Sequence, residues 1–264
     1  MKEALEGDDR YRQLREANYK LVLATLKLKE ADRRRDEFLR MLAHELRNPL
    51  APISTGAVLL ERMQVDNPKV GEIARVIQRQ VSHLRRMVND LLDVSRFSLG
   101  KNVLEIGTVS VGELVSESAE MLAERLEPHR FCVEFEAGAQ DLVVPGDKVR
   151  LLQVLTNLLD NACKFSEPDG VVGLHVAAVA DMLTISVIDD GIGIEPDFFP
   201  KMFDLFTQHD PDLARTKGGL GIGLALAREI AQLHGGTLTA LSDGSGCGAR
   251  FVLAVPMHRH AAPA

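Results

Sequence analysis

The stretch KVRLLQVLTNLLDNACKF (148–165), followed by VVGLHVAAV (171–179) and LTISVIDDGIG (183–193), decides how this chain is read. Leu151, Leu155, Leu158, Leu159 and Ala162 recur at three- and four-residue steps, the period of a helix with one buried side. Asp147 stands directly before them as a candidate N-cap. The two runs that follow are β-like and end on Asp189-Asp190-Gly191, residue types that favour a turn. Runs of the same kind are FCVEFE (131–136), GTLTALS (236–242) and ARFVLAV (249–255), while helical stretches are predicted at 110–127, 148–164 and 222–234. Ser110 and Glu113 have capping-box spacing at the head of the first of these helices. The alternation predicts a mixed sheet covered by helices on one face, an α/β sandwich, over residues 99–256.

Upstream of that region the period is helical throughout. Leu46, Leu50, Ile53, Ala57 and Leu60 form one apolar series, and Ile73, Ile77, Val81, Leu84, Val88 and Leu91 form another beyond the interruption VDNPK (65–69). Residues 38–98 therefore read as an antiparallel helical hairpin. One apolar stripe per helix is more than a lone hairpin can bury, so a homodimer closing a four-helix bundle is expected. Residues 1–37 continue the pattern upstream as a coiled coil: Leu14, Leu21, Leu28, Arg35 and Leu42 share one heptad position, and Ala17, Ala24, Ala31 and Phe38 follow three residues later. The register runs unbroken into FLRMLAHELRNPLAPI (38–53), which makes the coil and the hairpin one mechanical unit through which an upstream sensor module or protein could act. Only 37 residues precede Phe38, too few for a globular sensor, and residues 257–264 read as a flexible tail. The expected class is multi-domain, α followed by α+β.

Composition bounds the function. The 264 residues are 45% hydrophobic and 26% charged, which supports real cores and excludes wholesale disorder. A net charge of −7 argues against nucleic acid as a partner, and Lys27, Lys29, Arg33 and Arg34 read as a solvated helix face. No apolar run reaches bilayer length and the N-terminus has no signal-peptide core, so a cytoplasmic protein without a membrane span is expected. Cys132, Cys163 and Cys247 match no disulfide or zinc spacing and are expected to be buried thiols.

Four clusters carry chemistry. His44 falls off the packing seam with Glu45 beside it; an imidazole nitrogen is a competent nucleophile near neutral pH, and a carboxylate can take up its proton. Pro49, after Asn48, should kink that helix one turn past the histidine. Asn157, Asn161 and Lys164 lie at i, i+4 and i+7 on one helix face, a set suited to Mg²⁺ and triphosphate oxygens or, more plainly, to a polar outer surface. Asp189 at a strand end can accept from an exocyclic amine, with Gly191 and Gly193 letting backbone approach a flat base. Gly219, Gly221, Gly223 and Leu224 open a helix in the manner of a phosphate-binding loop.

The order HELRNP (44–49), NLLDNACKF (157–165), DDGIG (189–193), FDLF (203–206) and GLGIGL (219–224) resembles the sensor histidine kinases of bacterial two-component systems over nearly all of residues 38–256. The resemblance implies a dimerisation and phosphotransfer hairpin followed by the ATP-binding sandwich shared with gyrase, Hsp90 and MutL. It implies His44 as phosphoacceptor, Asn161 as magnesium ligand, Lys164 as a phosphate contact, Asp189 as adenine reader, and Phe203 and Phe206 as anchor of an ATP lid over 195–218. Glu45-Leu46-Arg47-Asn48 fits the family's Glu-x-x-Asn phosphatase pattern. The cofactors implied are ATP and Mg²⁺, and the partner is a separate response regulator. Two other functions stay open, an ATP-hydrolysing conformational clamp and a non-catalytic dimerisation scaffold. The first is disfavoured because the water-activating glutamate of the clamp relatives, four residues before the asparagine, is here Asn157.

Overall fold

The computed structural model describes residues 15, 18–23, 25, 29, 42–43, 45–60, 69–98, 104–207 and 220–258. Phe38, His44, the interruption at 65–68, Gly219, the lid from 208 onward and the tail beyond 258 lie outside the described residues, as does most of the expected coil. The chain divides into two compact units, residues 1–81 and 82–264. No helix among the described residues is long and apolar enough to cross a membrane.

In the first unit, helix α1 (45–60) remains helical on both sides of Pro49, so the proline does not end it. Helix α2 (Lys69–Ser98) begins here and continues into the second unit. The two helices meet at Gly56: a Cβ added there would lie 3.0 Å from Ile77 Cδ1 and 3.2 Å from Ile73 Cγ2. Leu50, Val58, Leu59 and Val81 keep 49, 46, 42 and 49% of their surface exposed.

The second unit is an α/β sandwich. Strands β2 (Arg130–Phe135), β4 (Val171–Val179), β5 (Met182–Asp189), β7 (Ala249–Pro256) and β6 (Thr237–Leu241) form one sheet in the order β2-β4-β5-β7-β6. Only the β2–β4 pair is parallel, which makes the sheet mixed as expected. Alternate residues Phe251, Leu253 and Val255 of β7 are buried, the mark of one covered face. Helices α5 (Lys148–Phe165) and α6 (Gly223–Leu233) supply the apolar layer, with Leu151, Leu155, Leu158, Leu159, Leu226 and Ile230 all at 1% exposure or less.

Three expectations need correction. The helix predicted over 110–127 is two helices, α3 (Val111–Glu120) and α4 (Ala123–Leu126), because Leu122 leaves helical geometry at φ −117°. Strands β1 (Gly107–Ser110) and β3 (Val143–Gly146) form a second, two-stranded antiparallel sheet that the sequence reading missed. The cysteines are not buried: Cys132 is exposed on edge strand β2, Cys247 is exposed in the glycine-rich turn before β7, and Cys163 is partly covered. Ser110 does cap α3 by accepting from Glu113 N–H at 3.4 Å, and the Glu113 carboxylate faces Lys148 at 3.5 Å.

Asp147 holds the head of α5. Its carboxylate accepts from Arg150 N–H at 3.2 Å and from Glu105 N–H at 3.0 Å, and its own N–H donates to His234 Nε2 at 2.9 Å. Since Nε2 accepts, the ring proton sits on Nδ1 and donates to Ile230 O at 2.8 Å. One residue thus ties the entry to β1, the start of α5 and the end of α6.

Candidate active site

The apolar stripe of α5 turns Asn157, Asn161 and Lys164 away from the core, and all three line a cavity of about 750 Å³. Asp189 enters the same cavity from the end of β5. Ile194, Phe198, Met202, Leu220 and Phe251 give it apolar walls. Among these, Ile194, Met202, Leu220 and Phe251 are at most 7% exposed.

Asp189 is 8% exposed and accepts from Gly191 N–H at 3.0 Å. Burial pushes its carboxyl up to about 6, against the pull of the Gly191 and Ala249 N–H groups, while the neighbouring Asp190 adds to the rise. A carboxylate at the inner end of an apolar slot is an acceptor without competing water, suited to the amine of a flat base. Gly193 shapes the slot rim at φ +72°, where a Cβ would run into Gly244 O.

Gly221 and Gly223, at the head of α6, also line the cavity. Gly221 has φ +66°, and a Cβ there would lie 2.7 Å from Thr207 O, so backbone passes backbone without room for a side chain. Its carbonyl accepts from Phe206 N–H at 2.9 Å, which joins the two ends of the 208–219 segment. Asn157 Nδ2 donates to Gly223 O at 3.3 Å and so ties the helix α5 stripe to the glycine turn.

Of the residues singled out in the sequence, Asn157, Asn161, Lys164, Asp189, Gly193, Gly221, Gly223 and Leu224 line this one cavity. Gly191 contributes through its N–H to Asp189. Phe203 and Phe206 stand outside the lining: Phe203 stacks under Arg228, 5.2 Å from ring centre to guanidinium carbon, and Phe206 bonds through its backbone. On α1, Glu45 is 6% exposed and Asn48 is exposed. Sequence reasoning missed the walls Phe198, Met202 and Phe251, and also Arg86, Met87 and Asp90 of α2. Phe251 was legible as an inward strand position. The α2 residues were not, because nothing local says where that helix docks.

Among the described residues no group of three or more His, Cys, Asp or Glu side chains could hold a metal ion. The Asn161 carboxamide on the cavity wall is a hard neutral oxygen donor, and it fits Mg²⁺, which takes few protein ligands and completes its shell with phosphate and water.

Residues 34–100 match the model of the His Kinase A (phospho-acceptor) domain, and residues 146–259 match that of the histidine kinase-, DNA gyrase B- and HSP90-like ATPase. The circadian input-output histidine kinase CikA of Synechococcus elongatus is 32% identical over 245 residues, 91% of this chain and 32% of its own length. The chain thus spans about a third of that relative. Full-length ShkA, solved with AMPPNP, aligns with a TM-score of 0.61 at 28% identity, over 86% of this chain and 47% of ShkA. The histidine kinase ThkA, solved in complex with the response regulator TrrA, aligns at 0.59 and 25% identity, over 88% of this chain and 66% of ThkA.

Proposed function

The chain belongs to the sensor histidine kinases of two-component systems, and from that premise we propose that it uses ATP to phosphorylate its own His44 and passes the phosphoryl group to an aspartate of a separate response regulator. The observation that carries the reading is the single cavity that gathers a buried Asp189 at one end and the Asn157, Asn161 and Lys164 stripe along one wall. The apolar walls would take a planar adenine, and Asp189 would accept from its amine. Asn161 would hold Mg²⁺ and Lys164 would meet the phosphate oxygens of the triphosphate along α5. Mg²⁺ supplies charge neutralisation of the phosphate oxygens.

In the transfer, an imidazole nitrogen of His44 attacks the γ-phosphorus in line. The new N–P bond forms as the bond to the ADP oxygen breaks, and Glu45 takes up the ring proton. Asn48, exposed one turn further on, orients water for dephosphorylation of the regulator. The ThkA complex with TrrA supports a response regulator as partner. The same reading includes a homodimer, an N-terminal coil that receives the input, and a cytoplasmic location with ATP.

A hydrolytic clamp is disfavoured by geometry as well as by sequence. The position for its activating carboxylate is occupied by Asn157, whose amide is engaged with Gly223 O. Incubation with γ-labelled ATP and Mg²⁺ tests the reading: acid-labile, base-stable label on the chain is expected, and absent from His44→Gln. Release of free phosphate without labelled protein would instead establish the clamp, and neither product would establish the scaffold. With labelled regulator added, Asn48→Ala should keep autophosphorylation and slow loss of the regulator's label.

A further inference from the structure

The second unit begins at Ser82, so more than half of α2 folds with the sandwich although it falls within the phosphoacceptor family match. The contact is specific. Asp93, 6% exposed, accepts from Arg150 Nη1 at 2.7 Å and from Gln153 Nε2 at 3.0 Å, and Arg150 also donates to Gln153 Oε1 at 2.8 Å. Met87, at 4% exposure, seals the joint one to two turns back.

This clamp sets what lies opposite the rest of α5. Arg86, Asp90 and Asp93 share one face of α2 at i, i+4 and i+7. Arg150, Gln153, Asn157, Asn161 and Lys164 share the polar face of α5. Asp90 bonds Gln153; burial pushes its carboxyl up to about 6, and the Arg86 charge opposes the rise. Arg125, pushed down first by burial and then by the like charge of Arg86, pairs with Asp160 of α5. With Asp93 at residues 150–153 and Arg86 lining the cavity with Asn157, Asp160 and Asn161, the two helices run antiparallel. Seven residues along α2 cover roughly 10 Å, which carries Arg86 from the clamp to the level of Asn157, Asp160 and Asn161. Arg86 and Arg125 line the cavity together with Lys164.

Arg86 and Arg125 bring two guanidinium groups to one cavity wall, where Asp160 pairs with Arg125 and the Asp90 carboxyl is bonded to Gln153, which directs the Arg86 donors to an anion with several oxygens. We propose that Arg86 is a phosphate-binding residue of the nucleotide site, supplied by the hairpin helix and positioned by the Asp93–Arg150–Gln153 clamp. The proposal rests on the nucleotide reading given above and deepens it: the phosphate end is read by a helix outside the ATPase family match, which makes triphosphate affinity depend on α2 staying docked.

Calorimetry on the full chain with Mg-ATP, Mg-ADP and adenosine tests this. Arg86 is exposed, so its replacement leaves the fold intact. Arg86→Ala should weaken Mg-ATP at least fivefold and leave adenosine within twofold, with Arg86→Lys in between. Asp93→Asn should show the same phosphate-selective loss, and the double variant should lose no more than Arg86→Ala alone. Unchanged ATP affinity in Arg86→Ala, tighter ATP binding, or equal loss of adenosine would overturn the proposal while leaving the adenine site standing. Asp189→Asn separates the two failures: if the wild type binds none of the three ligands, or if Asp189→Asn binds them all as the wild type does, the nucleotide reading itself fails and this inference with it.

Discussion

At the scale of single residues, Asp189 sets two pH dependences of opposite sign. Its carboxyl is raised from 3.8 to about 6 in the folded chain, so the folded state holds its proton more firmly than the unfolded one. The contribution of this group to stability is therefore fully present below pH 4 and lost as pH rises through 6. In the proposed nucleotide site, adenine recognition needs the ionised acceptor and follows the reverse course, weakening as pH falls through 6. Asp189→Asn removes the titration. It should cost roughly 10- to 100-fold in ATP affinity at pH 8, since charge-assisted hydrogen bonds contribute about 1.5–3 kcal/mol. Below pH 6 the gap between variant and wild type should close. Calorimetry at pH 5.5 and pH 8 reads this directly, and a gap independent of pH would mean that the carboxylate does not meet the ligand.

At the scale of elements, α5 is the organiser, because its apolar stripe builds the core while its polar face builds the site. Its N-terminus is held by one side chain, and Asp147→Ala deletes two acceptors for backbone N–H groups that are partly buried. N-cap losses are typically about 1 kcal/mol, and the second bond brings the expected destabilisation to about 2 kcal/mol, read as a lowered urea midpoint at unchanged slope. A variant as stable as the wild type would show that Asp147 does not secure the helix. This helix was legible because cap, apolar period and length agree within 18 residues. The break between α3 and α4 was not, since Ser118, Leu122 and Leu126 are buried at four-residue steps that a straight helix would also give. Strands β1 and β3 escaped for another reason: each has four residues, and Pro145 in VVPG reads as a turn although Val109 and Val144 pair in the core. The Asp189 slot could be named from DDGIG. Its α2 wall depends on the Asp93–Arg150 pair, 57 residues apart, and no local pattern reports such a contact.

At the scale of the whole molecule, α2 is continuous from the hairpin unit into the sandwich unit. The hairpin unit leaves Leu50, Val58, Leu59 and Val81 between 42 and 49% exposed, apolar surface that one chain does not cover. A second copy covers it in the proposed homodimer. Val81 gives the cleanest test because it is exposed in a single chain, where a charge costs little, and would be buried in the proposed homodimer. Val81→Glu replaces a favourable burial by an unpaired carboxylate, a change of roughly 1.5–3 kcal/mol for each copy, and two-fold symmetry counts it twice. Dimer affinity should therefore fall about 100-fold or more, with the thermal midpoint of the sandwich unit unchanged. Sedimentation velocity across a concentration series separates the outcomes. Wild type that sediments as a monomer at all concentrations, or a variant dimer as tight as the wild type, would put the pairing surface elsewhere than this stripe.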